Sequence, residues 1–193
     1  MKYGGEIVGV DISYSIESAF DNLGLNPKAH FIQADILNLP FKEEIFDSVF
    51  SIGVLHHTPN TKKAFLKLTP FFKKRGEIAI WVYARLGFSS MISDFYRLFT
   101  TKIPLKMLYK LCEIFVPLIY FFHRRGRLWR YLIPIPISLH LNPKWRILDT
   151  FDWYSPKYQW KHTSKEVERW FEEAGLKEIT VLDLPVSIRA KRY

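Results

Sequence analysis

A chain of 193 residues can enclose one core and is too short for two ordinary domains. With 48% hydrophobic and 17% aromatic residues it is excluded from the disordered and low-complexity classes. Net charge is +9, and between residues 88 and 148 ten Lys/Arg face only two acids, a local balance of +8. Attraction to phosphate-bearing partners therefore belongs to the middle of the chain and not to its ends.

The first element is Glu6-Ile7-Val8-Gly9-Val10-Asp11, an apolar run closed by an acid. It fits a strand covered on both faces, as in a parallel sheet. Nothing in Met1–Gly5 has the charged-then-apolar pattern of a signal peptide, so the cytoplasm is the expected compartment. Ser13 to Leu23 predicts a helix, with Ser13 or Ser15 as N-cap and Gly24 as C-cap. Ala29–Ala34 is a second strand, ending at Asp35, and Phe46–Ile52 a third. A helix opens at Thr58-Pro59-Asn60-Thr61 and runs towards Lys74, with Ala64, Phe65, Leu68 and Phe72 on one face. Pro70 should bend or shorten it. Glu77–Tyr83 is a fourth strand, which gives the alternation of a parallel α/β sheet.

Leu86 to about Leu148 breaks the alternation. The segment is basic, aromatic and helical in spacing, with Leu108, Leu111, Cys112, Phe115, Leu118, Ile119 and Phe122 in register. Met107–Phe122 is 16 residues with two charges and Pro117. A membrane span needs about 20 largely apolar residues, so a transmembrane helix is rejected. Cys112, the single cysteine, reads as a buried structural thiol. Ile133-Pro134-Ile135-Pro136 reads as an extended linker, and Asp152–Gln159 as the aromatic wall of a pocket or an ordinary packed loop. Thr163-Ser164-Lys165-Glu166 is a capping box, Gly175 ends its helix, and Ile179–Leu184 and Val186–Lys191 are closing strands about Pro185. The expected organisation is an α/β core over 1–85, a helical insertion over 86–150, and a return to the core over 151–193.

Ligands of an open parallel sheet bind beyond the carboxyl ends of its strands. Asp11 and Asp35 stand at two such ends. One acid can take both ribose hydroxyls and the other the exocyclic amine of adenine, with Ile12 and Ile36 against the adenine faces. Both acids also suit turns or helix caps. His56-His57 could serve as a base near neutral pH, line a pocket, or cap the following helix. Adjacent histidines without a third ligand at helical spacing do not make a metal site.

GVDIS, QADILNLPF, FDSVFSIGVLHH and GEIAIWVY stand here in the order and spacing of the motifs of class I S-adenosylmethionine-dependent methyltransferases, and the chain resembles the large group of small-molecule enzymes with an LPF turn and an LHH turn. The likeness covers Glu6 to about Tyr83 and resumes over Thr163–Ala190. It implies a Rossmann-like sheet whose last strand is antiparallel. It also implies S-adenosylmethionine as cofactor, Asp11 on its ribose, Asp35 and Ile36 at its adenine, and Ser51, Ile52 and Gly53 near its methionine end. Two departures stand out. The family's first strand and glycine-rich loop find no counterpart, so an N-terminally truncated chain is expected. The Pro-Gly-Gly turn before GEIAIWVY is reduced to Gly76.

The resulting expectation is methyl transfer to a small-molecule or lipid-linked acceptor, with His56 and His57 as candidate catalytic groups and the insertion as a lid. A peripheral contact of the basic insertion with the inner face of the membrane belongs to the same reading. Nucleic acid is not favoured, because no stacking platform accompanies the charge. The rival readings are a nicotinamide-dependent Rossmann reductase and a non-catalytic fragment that meets membranes through its basic helix.

Overall fold

The computed structural model describes residues 4–85 and 87–193, with residues 88 and 89 as backbone only. The start at Met1–Tyr3 and the expected edge of the insertion at Leu86 lie outside them. Against the single core expected from length, two compact units form: one from the N-terminal part through Tyr83 together with Trp160–Tyr193, the other from Ala84–Gln159.

The first unit is α/β. β1 (Ile7–Asp11) and β2 (Ala29–Gln33) pair in parallel through α1 (Ser15–Leu23), with Asp11 opposite Gln33. β3 (Phe46–Ile52) pairs in parallel with β4 (Phe72–Trp81) through α2 (Thr61–Leu68). α7 (Ser164–Glu173) leads to β5 (Lys177–Val181), and β6 (Ser187–Lys191) runs antiparallel to both β4 and β5. The strand orders are β1-β2 in one sheet and β3-β4-β6-β5 in the other. No ladder joins the two sheets among the described residues, so β1 and β3 each keep one unpaired edge. The antiparallel last strand and the Rossmann-like α/β architecture expected from sequence are present.

The core of this unit lies in the larger sheet. Ile78 and Ile80 of β4, Ile188 and Ala190 of β6, Ala64 and Phe65 of α2, and Val167 and Phe171 of α7 are all buried. The rings of Phe65 and Phe171 stack at 4.5 Å. No described residue before Ser51 is buried. Phe50 and Ile52, on the unpaired side of the larger sheet, are 66% and 63% exposed.

Three local expectations are corrected. The N-cap position of α1 is Tyr14, which makes no side-chain cap; the Ser13 hydroxyl donates to Asp11 Oδ1 at 2.7 Å while its oxygen accepts from the Ser15 amide at 3.2 Å. α2 stops at Leu68 and a 3-10 turn holds Thr69–Phe71, since Pro70 has no amide to continue a helix. Phe72 then starts β4 five residues earlier than Glu77, buried in the sheet and not on a helix face. The capping box is half formed. Thr163 Oγ1 accepts from the Glu166 amide at 3.3 Å, but the Glu166 carboxylate turns to His162.

The second unit is helical: α3 (Gly87–Thr100), α4 (Leu105–His123), α5 (Arg127–Leu132) and α6 (Pro143–Tyr154). α6 extends the helical run through Tyr154, four residues beyond position 150. Cys112, Val116 and Ile119 of α4 form its core with Ile137, and Ile133 and Ile135 pack against them. The Ile-Pro-Ile-Pro stretch is thus part of the core and not a linker, because alternate isoleucines of an extended chain face one side. Two buried arginines tie the unit together. Arg97 donates to the carbonyls of Trp153 at 2.9 Å and Pro156 at 2.6 Å. Arg146 donates to His140 and Leu141 carbonyls and lies 3.2 Å over the Tyr120 ring. No helix among the described residues is long and apolar enough to cross a membrane.

Candidate functional site

The parallel pairing of β1 with β2 places two carboxylates at neighbouring strand ends. Asp11 closes β1, and the amide of Ala34 donates to the Asp11 carbonyl at 3.0 Å, which carries the chain straight on to Asp35. Asp11 Oδ1 accepts from the Ser13 amide and hydroxyl, each at 2.7 Å. Asp35 Oδ1 accepts from the Leu37 amide at 2.9 Å. One oxygen of each carboxylate thus fixes its own turn, a common use of aspartate after a strand. Ile12 is exposed beside Asp11. Ile36 helps line a shallow recess of about 360 Å³ with Leu39, Lys67 and Phe71.

The end of β3 supplies the second group. Ser51 is buried and its Oγ has no hydrogen-bond partner, while Ile52 is exposed. Gly53 has φ +75°, and its amide donates to the Trp81 carbonyl at 3.0 Å. A Cβ built there would come within 3.2 Å of the Trp81 ring, so the close approach requires glycine. The structure brings Asp11, Ile12, Asp35 and Ile36 together on one sheet. Ser51, Ile52, Gly53, His56 and His57 lie together on the other.

The two histidines have different surroundings. Leu55–His57 is one 3-10 turn. His56 is 0% exposed, stacked on Tyr83 at 3.9 Å and tilted against His57 at 4.1 Å. Its Nδ1 receives the Tyr83 amide at 3.4 Å, and its Nε2 has no partner. Burial, helped by the nearby His57 and His162, drives its pKa down from 6.5 to about 3. It is therefore neutral at any ordinary pH and closed off from an acceptor. His57 is half-buried, with its ring edge towards Tyr83 at 5.6 Å.

Residues remote in sequence hold this turn. The Trp160 amide donates to the His56 carbonyl at 2.9 Å, and the Trp160 indole to the Thr58 carbonyl at 3.0 Å. His162 sits between the Glu166 carboxylate at 2.9 Å and the Thr61 hydroxyl at 3.0 Å. The Glu166 carboxylate can only accept, so Nδ1 of His162 is the donor of that pair. Sequence reasoning missed Tyr83, Trp160 and His162. The only available signal was the density of aromatic and histidine residues around Tyr158–His162.

A profile of the methyltransferase domain family matches residues 1–80. Over 88 residues the chain is 30% identical to the sterol 24-C-methyltransferase of Pneumocystis carinii, a match covering 44% of this chain and 23% of that one. Over 80 residues it is 38% identical to the tRNA (carboxymethyluridine(34)-5-O)-methyltransferase of Arabidopsis thaliana, covering 40% and 19%. The chain thus spans about a fifth of the length of these relatives. Human N-acetylserotonin methyltransferase, solved in complex with S-adenosylmethionine, shares the fold at a TM-score of 0.51 and 13% identity, over 97% of this chain and 40% of that one.

S-adenosylmethionine is the cofactor of this family, and the residues present suit its adenosine half. Two carboxylates at adjacent parallel strand ends can accept from ribose and adenine. Residues 1–80, which carry both carboxylates, Gly53 and the two adjacent histidines, are thus the part of the chain that is similar to the methyltransferase domain family.

Proposed function

We propose that the protein transfers a methyl group from S-adenosylmethionine to a small-molecule or lipid-linked acceptor, in the cytoplasm or at the inner face of the membrane. The observation that carries this reading is the placement of Asp11 and Asp35 at the ends of paired parallel strands. When bound, the cofactor supplies an electrophilic methyl on a sulfonium, which passes to the acceptor's lone pair as the carbon–sulfur bond breaks. Asp11 accepts the ribose hydroxyls, Asp35 accepts the adenine amine, and Ile12 and Ile36 cover the adenine. Ser51, Ile52 and Gly53 form the floor towards the methionine end. Much of the work is positioning and exclusion of water. Where the acceptor must lose a proton, His57 is the group that takes it, since His56 is enclosed and held neutral.

Ligand-observed saturation-transfer NMR of the purified chain with S-adenosylhomocysteine tests this. Saturation is expected on adenine and ribose protons. It should be lost in an Asp11→Ala/Asp35→Ala variant of unchanged circular dichroism and should resist competition by nicotinamide dinucleotide. Absent saturation supports a non-catalytic fragment. Equal competition by the dinucleotide supports a reductase. Either result overturns the proposal.

A further inference from the structure

α4 is apolar around more of its circumference than its packing uses. Leu108, Cys112, Val116, Ile119 and His123 turn inward and are buried. Met107, Ile114, Leu118 and Phe121 follow one another at spacings of seven, four and three, a single stripe at helical period. They are 55%, 64%, 51% and 50% exposed. Sequence spacing alone had merged the two faces, placing Leu118 with Leu108. With Phe115, also half exposed, these side chains leave on the order of 400 Å² of contiguous apolar surface, which marks an interaction site more often than a free surface.

Charge identifies the partner. Lys106 and Lys110 lie one helical position to the side of the stripe, and Arg124, Arg125 and Arg127 close its C-terminal end, all exposed. None forms an ion pair among the described residues. Arg125 folds 3.8 Å over the Phe121 ring, joining cation and apolar surface in one element. The only acid in Leu105–Leu132 is Glu113, on the far side of the lysines from the stripe. A second copy laid along the stripe would bring like charges together without acids to meet them. An anionic lipid surface complements both the cations and the apolar stripe, with the helix lying in the headgroup plane.

We propose that the outer face of α4, with the basic turn that follows it, docks the protein on anionic membrane. The proposal extends the reading of a lipid-linked acceptor and rests on it only for the purpose of docking. Flotation with vesicles of phosphatidylcholine, with and without about 30% phosphatidylglycerol, tests it. The chain should float with the anionic vesicles and not with the neutral ones, and raising KCl from about 0.1 to 0.5 M should reduce the bound fraction at least tenfold. Ile114→Glu/Leu118→Glu, on exposed positions, should abolish flotation with circular dichroism unchanged, and Lys110→Glu/Arg124→Glu should weaken it about tenfold or more. Failure to float, equal binding to neutral vesicles, or a dimer in solution that Leu118→Glu dissolves without vesicle binding each overturns it. Saturation transfer from S-adenosylhomocysteine should be the same in the α4 variants, so the two proposals can fail separately.

Discussion

The imidazole Nε2 of His162 stands 3.0 Å from the hydroxyl of Thr61, across 101 positions of sequence. This contact joins the loop before α7 to the first turn of α2, and the 3-10 turn bearing His56 and His57 lies just ahead of α2. Both groups are buried, so a lost partner leaves an uncompensated polar atom. His162→Ala should cost about 1–3 kcal/mol in urea unfolding. Coupling to Thr61→Val in a double-mutant cycle should be about 0.5–2 kcal/mol. Additive effects would sink the idea that the pair acts together.

The enclosed His56 makes stability depend on pH. Its folded pKa, about 3, lies below the ordinary 6.5, because burial disfavours the charged ring. Above pH 6.5 neither state takes the proton and the contribution is fully present. Between pH 6.5 and 3 only the unfolded chain is protonated at this site, so stability falls as pH drops, by about 1.4 kcal/mol per unit. His56→Phe should remove this share of the slope. An unchanged slope in the variant would show that other groups set it.

Gly53 should not tolerate a side chain. Its φ of +75° disfavours L residues and a Cβ would press on the Trp81 ring. Gly53→Ala should cost about 1–2 kcal/mol by chemical denaturation. A neutral effect would mean that Trp81 gives way.

Arg97 should be essential to the helical unit. It is buried and donates to the carbonyls of Trp153 in the last turn of α6 and of Pro156 just beyond it. Arg97→Met leaves both without that donor and should cost about 2–4 kcal/mol. Limited proteolysis between Ser155 and Gln159 should accelerate at least tenfold. Arg97→Lys, a point donor in place of a fork, should recover only part of the loss. Full recovery would contradict a two-carbonyl role.

What the sequence revealed depended on the range of the interactions. β1 and β2 were legible because apolar runs leading to Asp11 and Asp35 are local patterns, β3 because its β-branched and aromatic run is one too, and the order of four motifs pointed to the family. The two faces of α4 were not legible. Leu108 and Leu118 are the same residue type at helical spacing, and only contact with Ile137 and α6 decides which face is inside. Phe72 was placed on a helix because its spacing from Leu68 fits one, whereas Pro70 ends the helix between them. His162 gave no local sign of its role, since Thr61 and Glu166 reach it from opposite ends of the unit.

Among the described residues no side chain before Ser51 is buried, which bears on how a cofactor would be held. β1, α1 and β2 are stabilised by one ladder and one half-covered helix, and they carry Asp11, Ile12, Asp35 and Ile36 within or just beyond them. Segments with so little enclosed apolar surface open at small free energy. Ligand binding there is then coupled to closing of the segment, and part of the intrinsic affinity is spent on it. In amide hydrogen exchange, Ile7–Asp11 and Ala29–Gln33 should exchange fast in the free chain and slow on addition of S-adenosylhomocysteine, while Ile78 and Ile80 of β4 remain protected throughout.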